Sequence, residues 1–136
     1  MAERLLQVGV KVLLGDGTGK YLVLRRSPEK YPEVEQPWDI PGGRIDAGSP
    51  LLDNLRREVD EETGLRVAGE PRLIMAQDIL RVPERHVVRL TYLADAEGEL
   101  RLSEDHTESA WLKRDELLQL EGLDSYAVQA IELLEP

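Results

Sequence analysis

Alternation of apolar and polar residues opens the chain. Leu6, Val8, Val10, Val12 and Leu14 share one face of the stretch from Leu5 to Leu14, which predicts a strand. Gly15-Asp16-Gly17-Thr18-Gly19 supplies turn residues, and Lys20 to Arg26 returns as a second strand, so a hairpin is expected. Ser27 to Pro37 carries Pro28, Pro32 and Pro37 and reads as an irregular loop, long enough to be a flap over a site. Trp38 to Gly43 is a short extended piece broken by Pro41 and two glycines. The period then changes. Leu51, Leu52, Leu55 and Val59 recur at helical spacing, with Ser49 as the expected cap, Pro50 in the first turn and Gly64 as the stop after Thr63. Strand-like runs follow at Leu73 to Leu80, His86 to Ala94 and around Ala110-Trp111-Leu112. Arg81 to Arg85 joins the first two, Glu97-Gly98-Glu99 makes a turn, and Glu104 to Thr107 is a polar loop. Arg114 to Leu120 is expected as a short helix. Asp124 caps a last amphipathic helix with Tyr126, Ala127, Ala130, Ile131 and Leu134 on its apolar side.

Composition narrows the classes. With 136 residues and no repeat or linker, one domain over 1–136 is expected. There is no Phe, so the core rests on Leu, Val, Ile and Ala. The formal charge of −10 repels nucleic acid and anionic membranes over the general surface, and neither is expected as a partner. An anionic substrate then needs a local cation, either a metal ion or an arginine cluster. The absence of Cys excludes disulfides and thiolate metal sites and fits a cytoplasmic location. Glu3, Arg4, Gln7 and Lys11 interrupt the N-terminal run too often for a signal peptide, and no apolar run approaches the ~20 residues of a membrane span.

The chemistry concentrates on the first helix. At the α-helical repeat, Glu58, Glu61 and Glu62 fall within one arc of about 100°, beside the apolar arc of Leu51, Leu52, Leu55 and Val59. A solvated acidic face is the plain alternative. Two features favour a site: the carboxylates border the apolar arc and so are sheltered, and no Lys or Arg stands between them on that face. Such a set of hard oxygen donors suits Mg²⁺ or Mn²⁺. Gly42-Gly43 either forms a plain tight turn or lets a ligand approach the backbone closely.

Gly43 to Leu65 resembles the Nudix box, G-x5-E-x7-R-E-U-x-E-E-x-G-U with U aliphatic. Gly43, Arg57, Glu58, Val59, Glu61, Glu62, Gly64 and Leu65 occupy eight of the nine defined positions at the right spacing. Ser49 stands where the first Glu is expected, with Asp46 and Asp53 close by in sequence. Trp38 to Gly43 is similar to the usual approach to the box, and Trp111 with Asp115-Glu116-Leu117 to the usual late strand and short helix. The resemblance implies an α/β fold, an α/β/α sandwich around a mixed sheet. It also implies a MutT-like, Mg²⁺-dependent hydrolase that cuts the pyrophosphate bond of a nucleoside diphosphate derivative, with Mn²⁺ as a substitute ion.

The resemblance assigns roles. Glu58 and Glu62 are the main metal ligands, with the Gly42 carbonyl as a further one. Glu61 is either a ligand or the base that orients water. Arg57 holds a carboxylate by a bidentate pair, or forms a structural ion pair. The base otherwise lies on the loop of Glu104, Asp105, His106 and Glu108, where Glu108 is either the favoured base or a solvated loop acid, and His106 is either a group that titrates near neutrality or a surface residue. Arg25 and Arg26 end the second strand pointing to opposite faces, and one of them either reaches phosphate or is a plain exposed charge. Gly43 offers its backbone to substrate. Trp38 either stacks on a base or packs in the core. Arg81, Arg85 and Arg89 gather near the later hairpin, to bind phosphate or line a dimer contact. A nucleoside triphosphate or oxidised nucleotide ranks first as substrate for so short a chain, ADP-ribose or a nucleotide sugar second. A non-catalytic nucleotide sensor is the reading Ser49 motivates. The acidic charge argues against RNA decapping, and a homodimer accords with the habit of the family.

Overall fold

A computed structural model describes residues 3–136. In chain order its elements are β1 (Leu5–Gly15), β2 (Lys20–Arg26), β3 (Trp38–Asp39), β4 (Gly42–Arg44), α1 (Leu51–Thr63), β5 (Arg66–Ile79), β6 (Arg85–Glu97), β7 (His106–Lys113), α2 (Arg114–Leu118) and α3 (Ser125–Glu132). The strands form one seven-stranded mixed sheet in the order β3-β2-β1-β6-β5, with β4 added to β1 and β7 to β2. β1 is central. It runs parallel to β6 from Leu5 opposite Arg85 to Gly15 opposite Asp95. On its other edge it pairs antiparallel with Gly42 to Arg44 of β4.

The expected hairpin closes only at its turn. Asp16 N–H donates to the Lys20 carbonyl at 3.0 Å, and Gly15 lies opposite Tyr21. Beyond that point β4 occupies the edge of β1, and β2 pairs instead with β3 and β7. β5 starts at Arg66, earlier than the alternation suggests. Gly69, at φ +65°, and Pro71 break the pattern, and a register shift between Ala68 and Arg72 absorbs them at the sheet edge. β7 likewise begins at His106, inside the expected polar loop.

The sheet buries both faces. Val10, Val12 and Leu14 pack with Leu55 and Val59 of α1 in one apolar layer. Leu13 and Val23 pack with Ile40, Leu117, Ala127, Ala130 and Ile131 in the other. Each fully buried Leu, Ile or Val contributes roughly 1.5–3 kcal/mol. Leu6 departs from the alternation: at 64 % exposure it sits on the open end of β1. The caps are mixed. Asp124 accepts from the Tyr126 and Ala127 amides as expected, and Gly64 ends α1 at φ +71°. Ser49 does not cap α1: the N-cap is Pro50, with no side-chain hydrogen bond, and the Ser49 amide turns back to the Asp46 carbonyl at 2.9 Å. No helix among the described residues is long and apolar enough to cross a membrane.

Candidate active site

β4 is laid across β1, so Gly42 and Gly43 sit flat against Val10 and Lys11. Gly42 has φ +137°, and a Cβ there would strike the Val10 carbonyl. At Gly43 a Cβ would lie 2.7 Å from Glu58 Oε2, so any larger residue would make that carboxylate shift from its place under the strand. One turn further along α1, Glu62 Oε1 accepts the Gly42 N–H at 2.8 Å. The side chains of Glu58 and Glu62 are only 19 % and 17 % exposed. Burial pushes Glu62 up to about 7; Lys11 and the Gly42 N–H oppose this, while Glu58 and Asp39 add to it. Burial also raises Glu58, with Glu61 adding repulsion and Arg57 and Lys11 relieving it.

Glu61 is different. It is 57 % exposed and pairs with Arg57 at 3.5 Å. The three carboxylates therefore do not converge as the helical arc suggests, and the described residues hold no ready group of three acidic or His side chains around one point. Nor is the face free of cations. Arg57 reaches Asp46 at 2.9 Å and Glu58 at 3.8 Å, and also donates to Asn54 Oδ1 at 2.9 Å. Lys11 stands opposite on β1, its Nζ donating to the carbonyls of Ile40 at 3.2 Å and Gly42 at 3.4 Å.

A small pocket of about 140 Å³ opens beside Glu62, lined also by Lys11, Arg26, Tyr31 and His106. His106 is neither a surface residue nor a group that titrates near neutrality. Its side chain is 10 % exposed, with Nε2 4.0 Å from Glu62. Burial, Lys11 and Arg26 press it down to about 4, although Asp105 and Asp39 favour its charged form. The Ser27–Pro37 loop leans on this side through Lys30, which pairs with Asp105 at 2.9 Å, and through Tyr31, whose ring lies 5.4 Å from the Arg26 guanidinium.

Behind Lys11 lies a buried ion network. Asp39 meets Lys11 at 3.3 Å and Arg89 at 3.0 Å, and Arg89 meets Asp124 at 3.4 Å. Burial alone would raise Asp39, but Lys11 and Arg89 hold it well below the usual carboxylate range. Arg89 is thus committed to structure, and through Asp124 it ties the cap of α3 to the floor of the site. A larger cavity of about 380 Å³ extends from Lys11 and Gly43 past Arg26, Arg44, Arg81 and Arg85. Among the sequence candidates, Arg26 lines both cavities and Arg25 lines neither. Arg25 faces Glu108 across β2 and β7 at 3.6 Å. Glu108, 55 % exposed, lines neither cavity. Trp38 packs against the apolar layer beneath α2 and α3 and also lines neither cavity.

Comparison with known proteins decides the family. The NUDIX domain model matches residues 5–134. The chain belongs to the Nudix hydrolase family. It is 32% identical over 91 residues to the asymmetrical bis(5'-nucleosyl)-tetraphosphatase of Rattus norvegicus, covering 61% of this chain and 60% of that protein. It is 41% identical over 61 residues to an RNA pyrophosphohydrolase of Bartonella bacilliformis, covering 43% of this chain and 36% of that one. The chain thus spans less than two thirds of these curated relatives. The crystal structure of a MutT protein from Methanosarcina mazei Go1 superposes with a TM-score of 0.81 at 26% identity, covering 97% of this chain and 94% of that one.

Nudix hydrolases act on small nucleotide-linked substrates and generally use divalent metal ions. The described geometry brings the box glutamates Glu58 and Glu62 together under Gly42-Gly43. Motif reading missed Lys11, Asp39 and Arg44. Lys11 had one visible signal, a lone charge inside an otherwise apolar central strand. Asp39 had another, a carboxylate between Trp38 and Ile40. Both break their pattern where the chain turns chemical.

Proposed function

We propose that this Nudix chain is a Mg²⁺-dependent pyrophosphohydrolase that cleaves a nucleoside triphosphate, normal or oxidised. The observation that carries the reading is the sheltered Glu58–Glu62 pair under the glycine strand, whose Gly43 also lines an arginine-rich cavity. The donor set fits a divalent ion. Two carboxylates one turn apart, each raised by burial, gain from a cation that favours their ionised forms. Glu58 and Glu62 would hold the ion, with the Gly42 carbonyl as the backbone donor. A bound divalent ion supplies charge neutralisation and a water of lowered pKa.

The rest follows from the chain's own groups. Lys11 and Arg26 offset the charge of the anhydride, and the glycine backbone lets the phosphates approach α1. Glu61, the box carboxylate most open to water, orients the attacking molecule while Arg57 fixes its position. Water adds to one phosphorus, the bridging P–O bond breaks, and two phosphorylated products leave with a proton released to solvent. Glu108, set against Arg25 on β7, ranks below Glu61 of the box helix as the base. The name of the Rattus relative specifies a tetraphosphatase, which supports a substrate of more than two phosphates. ADP-ribose and nucleotide sugars, with two, rank below it.

A substrate panel tests this: nucleoside triphosphates, 8-oxo-dGTP, ADP-ribose and nucleotide sugars with Mg²⁺ or Mn²⁺, and Glu58→Gln as the blank. Hydrolysis of a triphosphate that the blank loses is the expected result. Turnover equal in the wild type and Glu58→Gln would overturn the site. Silence across the panel, with tight nucleotide binding, would favour a sensor.

A further inference from the structure

The larger cavity carries a surplus of positive charge. Lys11, Arg26, Arg44, Arg81, Arg85 and Arg89 line it, against two carboxylates, Asp39 and Asp124. Both carboxylates are already engaged. Asp39 is held by Lys11 and Arg89, and Asp124 by Arg89 and by Arg81 at 3.8 Å. Among the described residues Arg26, Arg44 and Arg85 form no ion pair, although acidic residues outnumber basic ones in the chain by 27 to 17. Burial and the nearby charges of Arg85 and Arg26 press Arg44 below its ordinary value, so these cations repel one another. A cluster of this kind is stabilised by an anion placed among its members.

Position says which anion. Gly43, which lies against the Glu58 carboxylate, and Lys11 line the same cavity as Arg44 and Arg85. Its apolar lining is aliphatic, Ile79, Val82 and Val87, and no aromatic ring lines it to stack a base. We propose that Arg44 and Arg85, with Arg26, form a subsite for a phosphate beyond the cleaved anhydride, so that this protein selects substrates by phosphate number rather than by base. The proposal rests on the hydrolase reading for what is cleaved, but not for what is bound.

The guanidinium forks suit phosphate oxygens, and each charge-assisted contact is worth about a factor of ten or more in affinity. The probe is inorganic tripolyphosphate, titrated calorimetrically against pyrophosphate without metal, so turnover plays no part. The wild type should bind tripolyphosphate roughly 10-fold tighter than pyrophosphate. Arg44→Gln/Arg85→Gln should erase that preference with its circular dichroism intact, while Arg44→Lys/Arg85→Lys retains part of it. On turnover, the Gln pair should lower kcat/KM roughly 10-fold for a nucleoside triphosphate and under about 3-fold for ADP-ribose. Equal binding of the two inorganic anions by the wild type would overturn the subsite without any variant. So would a preference that survives in the folded Gln pair. A wild type that prefers tripolyphosphate but hydrolyses nothing would sink the hydrolase reading and leave the subsite standing.

Discussion

The two ends of the cleft are built on opposite principles. At the acidic end, Glu58 and Glu62 lie one turn apart on one helix, sheltered by two glycines and raised by burial. At the basic end, the arginines come from separate places: Arg26 from β2, Arg44 from β4, and Arg85 from the start of β6. The acidic end packs like charges where a cation would relieve them, and the basic end does the same for an anion. Between them, Lys11, Asp39, Arg89 and Asp124 form a charge-balanced, hydrogen-bonded divider. A site that holds both a cation and an anion needs such a partition, because ends in contact would pair with each other and close the cleft.

Breaking the divider should have the largest effect. Arg89→Ala leaves Asp39 and Asp124 buried without their shared partner. It should cost about 3–5 kcal/mol in urea unfolding. A loss under about 1 kcal/mol would mean the network is not what separates the two ends. Next comes the glycine shelter. Gly43→Ala places a methyl 2.7 Å from the Glu58 carboxylate and should lower turnover by about 10- to 100-fold with a smaller change in stability. Unchanged kinetics would show that Glu58 need not lie under the strand.

The pH dependence sharpens the contrast within the acidic end. Between 4.5 and about 7 the native Glu62 keeps a proton that the unfolded chain has released, so its contribution to stability is lost as pH rises through that window. Between 6.5 and about 4 the unfolded chain takes up a proton that native His106 refuses, so stability is lost as pH falls. The two slopes oppose each other in the metal-free protein. His106→Gln should leave stability falling toward neutral pH, and Glu62→Gln should leave it falling toward acid. Identical slopes in the two variants would contradict the burial of both groups. The smallest effect is expected at Ser49. Asp46 already meets Arg57, so Ser49→Glu should change kcat/KM by less than about 3-fold. A larger gain would mean that the missing box carboxylate limits the chemistry.

What was legible in the sequence follows the same division. The acidic end is local: thirteen residues of α1 with the preceding glycines carry spacing, stop signal and chemistry together. The alternation of β1 and the capped α3 were readable for the same reason. The basic end is not local. Arg44 and Arg85 come onto one cavity because β1 pairs with β4 on one side and β6 on the other, and Arg26 joins them from β2; periodicity does not encode that assembly. The same long-range ordering shortened the expected hairpin, since β4 took the edge of β1 that β2 was expected to fill. Strand register, not residue type, set Trp38 and Glu108 opposite Arg25 on the two edges of β2, outside both cavities.

The most direct test of the central claim is Mn²⁺ binding to the wild type and to Glu58→Gln/Glu62→Gln, followed by electron paramagnetic resonance. A bound ion in the wild type and its loss in the folded double variant are the expected results. Equal binding in both proteins would show that the sheltered pair under Gly42-Gly43 is not the metal site.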